Sequence, residues 1–427
     1  MHIVVVNRWP RFTEGPRWDF SMGRFEELID HERHRVSYVV DAVGARGVLA
    51  PPERIASTVQ IEDVNDFEAL RDAVSRVADE VGPVDRLIAV SEFTLGIAAE
   101  VREALDIPGP RPEDVAVYRN KLRMKELVAK AGVRVPRFAP AESGLDFARA
   151  TGFPLILKPV AGAASMGVHR VDDEAALTTL LSQVDVADYE LEEFVEGTIY
   201  HVDGFADEDA GIPFMAVSRY INDCLAFEAG RQPLGSVVVQ DSPLRTRVHE
   251  FARRCVSGLG MTNMPFHLEL FVTPDGDLVF LEIAGRIGGA EVPYLLDKVF
   301  GVNLFELWLD ALCEGGARVP RQTGDPSGGW LIIPKPAGLP AEVVSVTSMR
   351  DRFSTVWREL VPTPGEVMEP GGSYDAVHSG RFIFTGDEAA VENDIRRIIA
   401  GFRIETAPVR SAGSGESLPG TTERTTV

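Results

Sequence analysis

Two glutamates and an arginine stand close together in the stretch FHLELFVTPDGDLVFLEIAGRIGG, which begins at Phe266. Glu269 and Glu282 lie in two runs of alternating, β-favouring residues joined by Pro274, Asp275 and Gly276, a turn-forming tripeptide. A hairpin brings both onto one face, where like charges repel unless a cation lies between them. Carboxylate oxygens are hard ligands and suit Mg²⁺, with Mn²⁺ as an alternative, shared with the phosphates of a substrate. Arg286, four residues beyond Glu282, would aim a planar cationic fork at the same place. Together these three groups form a constellation for phosphoryl transfer, although a glutamate pair on a hairpin standing alone is more often solvated or ion-paired.

Neighbouring stretches supply what such a centre needs. Lys158 closes the apolar strand PLILKP and precedes the loop VAGAASMG, which contains Ser165, Met166 and Gly167. A loop of mostly small side chains lets backbone N–H groups approach phosphate oxygens, and the lysine adds a point charge. The spacing matches neither a Walker A nor a Rossmann loop. Leu191 to Val195, LEEFV, reads as a strand end with free backbone groups beside apolar side chains, suited to an adenine edge; a plain edge strand is the alternative.

Five further residues are candidate substrate contacts. Glu92, with Ser91, follows the strand DRLIAV, and ligands of open α/β sheets gather at the carboxyl ends of strands; capping the next helix is its other reading. Arg219 in SRYIND could meet an anion or be an ion-pair partner. Arg231 lies in FEAGRQPLGSVVVQDSP, Phe227 to Pro243, a candidate lid or substrate loop. His267 is two residues before Glu269 and so on the same strand face, where a structural histidine is the competing reading. Gly288, two residues after Arg286, completes the set.

Positioning these groups is the work of about three domains, since 427 residues exceed one compact core. Residues 1–114 alternate strands and helices (HIVVVN, RVSYVVDA, FEALRDAVSRVADEVG, DRLIAVSEF, GIAAEVREALD), the pattern of an open, mostly parallel α/β sheet. The Pro/Gly break IPGPRP, from Ile107, precedes a region of hairpins and helices over 115–314. A smaller α+β module follows over 315–408, and 409–427, rich in Gly, Ser and Thr, reads as a disordered tail. The chain as a whole is therefore α/β and α+β. A formal charge of −22 excludes attraction to nucleic acid or anionic membrane. No apolar run spans a bilayer, MHIVVVN is too short and lacks the charged flank of a secretory signal, and Cys224, Cys255 and Cys313 lack metal or redox spacing. These features describe a cytoplasmic protein with reduced thiols.

In order, the motifs resemble the ATP-grasp family from about Tyr118 to Asn303. RNKLRMKELVAKAGVRVP is similar to the opening of the family's nucleotide domain, with Lys121 as first nucleotide lysine; PLILKPVAGAASMGV to the second lysine, Lys158, and its phosphate-covering loop of Ser165, Met166 and Gly167. LEEFVEG is similar to the adenine hinge, in which Glu192 and the backbone of Glu193 and Val195 would hold the base. HLELF and FLEIAGRIGG are similar to the two metal-binding strands. Two positions depart from the pattern: Ile199 stands where a ribose-binding glutamate is usual, with Glu196 or Asp203 as substitutes, and Ala284 stands where a metal-binding asparagine is usual.

The resemblance implies an ATP-grasp fold and a carboxylate–amine ligase, similar to the L-amino acid ligases. ATP and Mg²⁺ would convert a carboxylate to an acyl phosphate that an amine attacks, with Arg286 and Lys158 as catalytic groups and ADP and phosphate released. The expected partners are small carboxylates and amines, amino acids first, and a homodimer is compatible with the family. Two alternatives stand beside this: a biotin-carboxylase-like carboxylation, although the chain has no biotinylated lysine between methionines, and a nucleotide-binding regulator without turnover, motivated by Ile199 and Ala284.

Overall fold

A computed structural model describes residues 1–11, 22–162, 166–222, 227, 232–316, 319–320, 322, 324–370 and 378–409. The expected tail, Ser165, Cys224 and Arg231 lie outside the described residues, apart from Val409 at the head of the tail.

The N-terminal part is a parallel sheet of β1 (His2–Asn7), β2 (Arg35–Val40), β3 (Ile55–Gln60) and β4 (Arg86–Ile88), in the order β3-β2-β1-β4. Alternate residues of β1 serve opposite cores: Val4 and Val6 pack with Leu70 and Val74 of the helix Phe67–Val81, while Ile3 and Val5 face the main core. Both faces are covered, which is why HIVVVN carries an unbroken apolar run. β3, IASTVQ, is an edge strand with half its side chains in solvent, so its polar residues conceal it in the sequence.

The second unit is a four-stranded sheet in the order β5-β8-β6-β7, formed by β5 (Phe138–Pro140), β6 (Leu155–Pro159), β7 (His169–Val171) and β8 (Tyr189–Glu193). The third is an eight-stranded antiparallel sheet. It runs from β13 (Leu278–Ala284) through β12 (Met264–Val272), β9 (Thr198–Ala206), β10 (Phe214–Tyr220) and β11 (Leu234–Val238) to β14 (Gly328–Pro334), β18 (His378–Thr385) and β16 (Val356–Leu360).

Hydrogen bonding does not pause at residue 315, because β14 pairs with β11. The expected C-terminal module is therefore partly an extension of the large sheet. What stands apart from it is a small sheet of β15 (Ala341–Val346), β17 (Val367–Met368) and β19 (Ile404–Pro408). The helix Glu388–Gly401 lays Val391, Ile395 and Ile398 on the far face of the large sheet against Val237, Leu331 and Phe384. β11 also corrects the expected loop from Phe227 to Pro243: GSVVV is a fully buried run inside it, and Pro243 opens the helix Pro243–Gly258. No helix among the described residues is long and apolar enough to cross a membrane.

Candidate active site

The four-stranded sheet and the near face of the eight-stranded sheet enclose a cavity of about 410 Å³, within the range of small-ligand sites. Glu269 and Glu282 are direct cross-strand partners in the β12–β13 ladder, at the edge of a register irregularity, and both line this cavity with Lys121 and Lys158. Period-2 alternation and the Thr273–Asp277 turn put them there. Burial acts to raise the Glu269 carboxyl, but hydrogen bonds from His267 and Tyr220 outweigh it and hold the group below its ordinary range. An ionised carboxylate beside a second one, in a lysine-lined cavity, is a donor set that fits Mg²⁺.

Lys121 opens the helix Lys121–Lys130, whose N-cap Asn120 accepts from the Arg123 amide at 3.0 Å. Its Nζ donates to the Gly162 carbonyl at 2.9 Å and lies 3.4 Å from Glu282 Oε2. Lys158 Nζ lies 2.9 Å from Glu192 Oε1 and 3.8 Å from Glu190 Oε1. Lys125, one turn after Lys121, donates to Glu190 at 2.7 Å and to Glu192. The result is a buried quartet of two lysines and two glutamates. Glu192 was expected to hold a base; its side chain is instead engaged by both lysines, which correct that role. Lys125 and Glu190 escaped sequence reasoning, although their spacing from Lys121 and Glu192, one helical turn and two strand residues, places each on the same face as its neighbour.

At the hinge, the Glu193 amide is already bonded to the Arg137 carbonyl and its carboxylate pairs with Arg137 Nε at 2.7 Å. The Val195 backbone makes no hydrogen bond among the described residues and lines the cavity. Ile156, Ile199, Phe271 and Leu281 give the slot beside it apolar walls. Met166 also lines the cavity, and Gly167 adopts a left-handed φ of +70° where an added Cβ would meet Pro159 and the Tyr189 hydroxyl at 3.0 Å. Glu196 reaches the cavity wall, whereas Asp203 is buried between two histidines and is not available to a ribose.

Arg286 Nε donates to Glu92 Oε2 at 2.8 Å, and Glu92 Oε1 lies 3.3 Å from Arg119. Glu92 thus joins the parallel sheet to the arginine rather than capping the helix Leu95–Ala104, whose N-cap is Thr94. Arg219 is corrected: it projects from the opposite face of β10 to Tyr220 and pairs with Glu392 of the helix Glu388–Gly401 at 2.7 Å, away from the cavity. His267 is buried, its Nδ1 2.8 Å from Asp203 Oδ1 and its Nε2 3.5 Å from Glu269. Burial acts to lower it, but Asp203 and then Glu269 push it up to about 10. Gly288 packs so closely that a Cβ would lie 2.3 Å from Asp203 Oδ1.

A family model described as an ATP-grasp domain matches residues 151–293, which include β6, β8, β12, β13 and Arg286. Residues 151–293 are an ATP-grasp domain. The chain is 25% identical over 363 residues to an L-arginine-specific L-amino acid ligase of Bacillus subtilis, covering 80% of this chain and 83% of that protein. It is 26% identical to the alanine–anticapsin ligase of Bacillus subtilis strain 168, over 58% of each chain. Among solved structures, an L-amino acid ligase from Bacillus licheniformis superposes with a TM-score of 0.69 at 19% identity, over 95% of this chain and 98% of that one. A biotin carboxylase from Campylobacter jejuni superposes with a TM-score of 0.66 at 16% identity, over 95% and 92%. At such identities the superpositions establish the ATP-grasp fold alone.

Proposed function

We propose that the protein uses ATP to activate a carboxylate as an acyl phosphate and passes the acyl group to an amine, releasing ADP and phosphate, with amino acids as substrates. The observation that carries this reading is the direct pairing of Glu269 with Glu282 on the wall of a cavity that also holds Lys121 and Lys158. The relatives that are amino acid ligases favour the amide-forming branch over carboxylation.

A carboxylate resists nucleophiles because of its charge and its poor leaving group. Glu269 and Glu282 would hold Mg²⁺, which would supply charge neutralisation where the terminal phosphate is transferred. Lys121 and Lys158 hold the phosphate chain, the free Val195 backbone meets the edge of the base, and Glu196 stands nearest to the role that Ile199 cannot fill. Arg286, aimed by Glu92, stabilises the acyl phosphate and the oxyanion formed when the amine attacks. Removal of one such donor typically lowers the rate by roughly 10² to 10³. The enclosing sheets limit water, which would otherwise hydrolyse the acyl phosphate.

The test is ADP release with Mg²⁺ across a panel of single and paired amino acids. Release that requires an amino acid, and falls about 10²-fold or more in Glu282→Gln with an unchanged melting temperature, is the expected result. Release that depends on bicarbonate would replace this reading with the carboxylase one, and nucleotide binding without turnover would replace it with the regulator.

A further inference from the structure

Behind Glu269 lies a line of buried polar groups that the reaction outlined above does not use. The β9–β12 ladder pairs Asp203 with His267 and His201 with Glu269, so the pleat sets all four side chains on one face. Ser236 Oγ and His201 Nε2 are 2.7 Å apart, and His201 Nδ1 is 2.7 Å from Asp203 Oδ2. Asp203 Oδ1 is 2.8 Å from His267 Nδ1, and His267 Nε2 is 3.5 Å from Glu269 Oε1. Tyr220 donates its hydroxyl to the same Glu269 oxygen at 2.9 Å. Both grips fall on Oε1, so Oε2 of Glu269 makes no bond to the chain among the described residues.

The same pair also supports the backbone that carries Arg286. An added Cβ at Gly288, two residues beyond the arginine, would lie 2.3 Å from Asp203 Oδ1 and 2.9 Å from His267 Nδ1. Only a residue without a side chain lets that backbone rest there. His201, Asp203 and His267 are near enough to one another to suggest a metal site of their own. Their ligand atoms, however, are already joined to each other and to Ser236, so the cluster is satisfied without an ion.

We propose that Asp203 and His267 are positioning residues: a buried bracket that fixes one oxygen of Glu269, leaves the other for the divalent cation, and through Gly288 seats the turn bearing Arg286. This rests on the ligase reading, because it gives Glu269 a cation to hold. Partners that orient a metal-binding carboxylate commonly change metal affinity by roughly 10- to 100-fold when removed.

The experiment measures Mn²⁺ binding to the full chain in the presence of ADP by electron paramagnetic resonance, alongside ADP affinity without metal and the melting temperature. Asp203→Asn keeps the shape of the side chain and should raise the Mn²⁺ dissociation constant about tenfold, with metal-free ADP affinity changed less than about twofold. Gly288→Ala, which presses on the bracket from outside the two strands, should act in the same direction even if the asparagine variant folds poorly. Wild-type Mn²⁺ affinity in either soluble, folded variant would overturn the bracket, as would equal losses of metal and metal-free nucleotide binding. Failure of the wild-type protein to bind Mn²⁺ with ADP would instead sink the cation assignment on which the ligase reading depends.

Discussion

Lys158 and Glu192 line the cavity, Lys125 and Glu190 are buried against them, and unequal pairing with the lysines splits the two carboxyls. Glu192 carries the desolvation penalty of its site but sits between both lysines, which lower it to about 2. For Glu190 desolvation wins over Lys125, the carboxyl rises from 4.5 to about 7, and its Oε2 is buried with no hydrogen-bond partner. The sign of the resulting pH dependence follows from proton counts. Between pH 4.5 and about 7 the folded protein keeps a proton on Glu190 that the unfolded chain has released, so this group's contribution to stability falls as pH rises through that window and is level above it. Denaturant melts at several pH values should therefore show a shallower decline from pH 4.5 to 7 in Glu190→Gln than in the wild type; an identical slope would mean that the lysines keep Glu190 ionised throughout.

Strands and helices decide which of the candidate groups meet. Arg219 and Tyr220 are adjacent in sequence, yet strand alternation sends Tyr220 to Glu269 in the cavity and Arg219 to Glu392 on the far side of the sheet. Arg219→Ala should accordingly leave the substrate KM within about twofold, while weakening the docking of the helix Glu388–Gly401 by roughly 0.5 to 1 kcal/mol, as expected of a partly exposed ion pair. A tenfold rise in KM without loss of stability would return Arg219 to the substrate site. The hairpin Met264–Ala284 was legible because alternation and a Pro-Asp-Gly turn coincide in it. β11 was not, because a buried central strand of LGSVV has no polar alternation and is preceded by Gly, Arg and Pro residues that read as loop.

At the scale of the whole molecule, the net charge of −22 surrounds a site whose own glutamates outnumber its lysines and arginines. An anionic nucleotide therefore approaches against the background field. Screening shortens that field to about 10 Å at 0.1 M salt. The association rate of Mg·ADP, measured by stopped-flow fluorescence, should rise between low and physiological ionic strength. A falling rate would mean that the positive groups at the mouth dominate. The units are joined by Glu92, which carries Arg286 from the large sheet to the parallel one, and by Glu314, which receives Arg33 and His34.

The sequence by itself determined many of the local elements and the candidate set: Glu269 opposite Glu282, Lys121 at a helix start, Lys158 at a strand end, and Arg286 just past the hairpin. Short-range periodicity and turn chemistry suffice for the glutamates, Lys158 and Arg286, and the family resemblance adds Lys121. Only the tertiary structure decided what each charge faces. Glu192 meets Lys125 and Lys158, Arg219 meets a helix from the C-terminal part, and Asp203 is enclosed by His201 and His267. Those partners are set by sheet order and by contacts between residues up to 173 positions apart, as for Arg219 and Glu392. Burial, which fixes the protonation of such groups, comes into being only when the sheets close on one another.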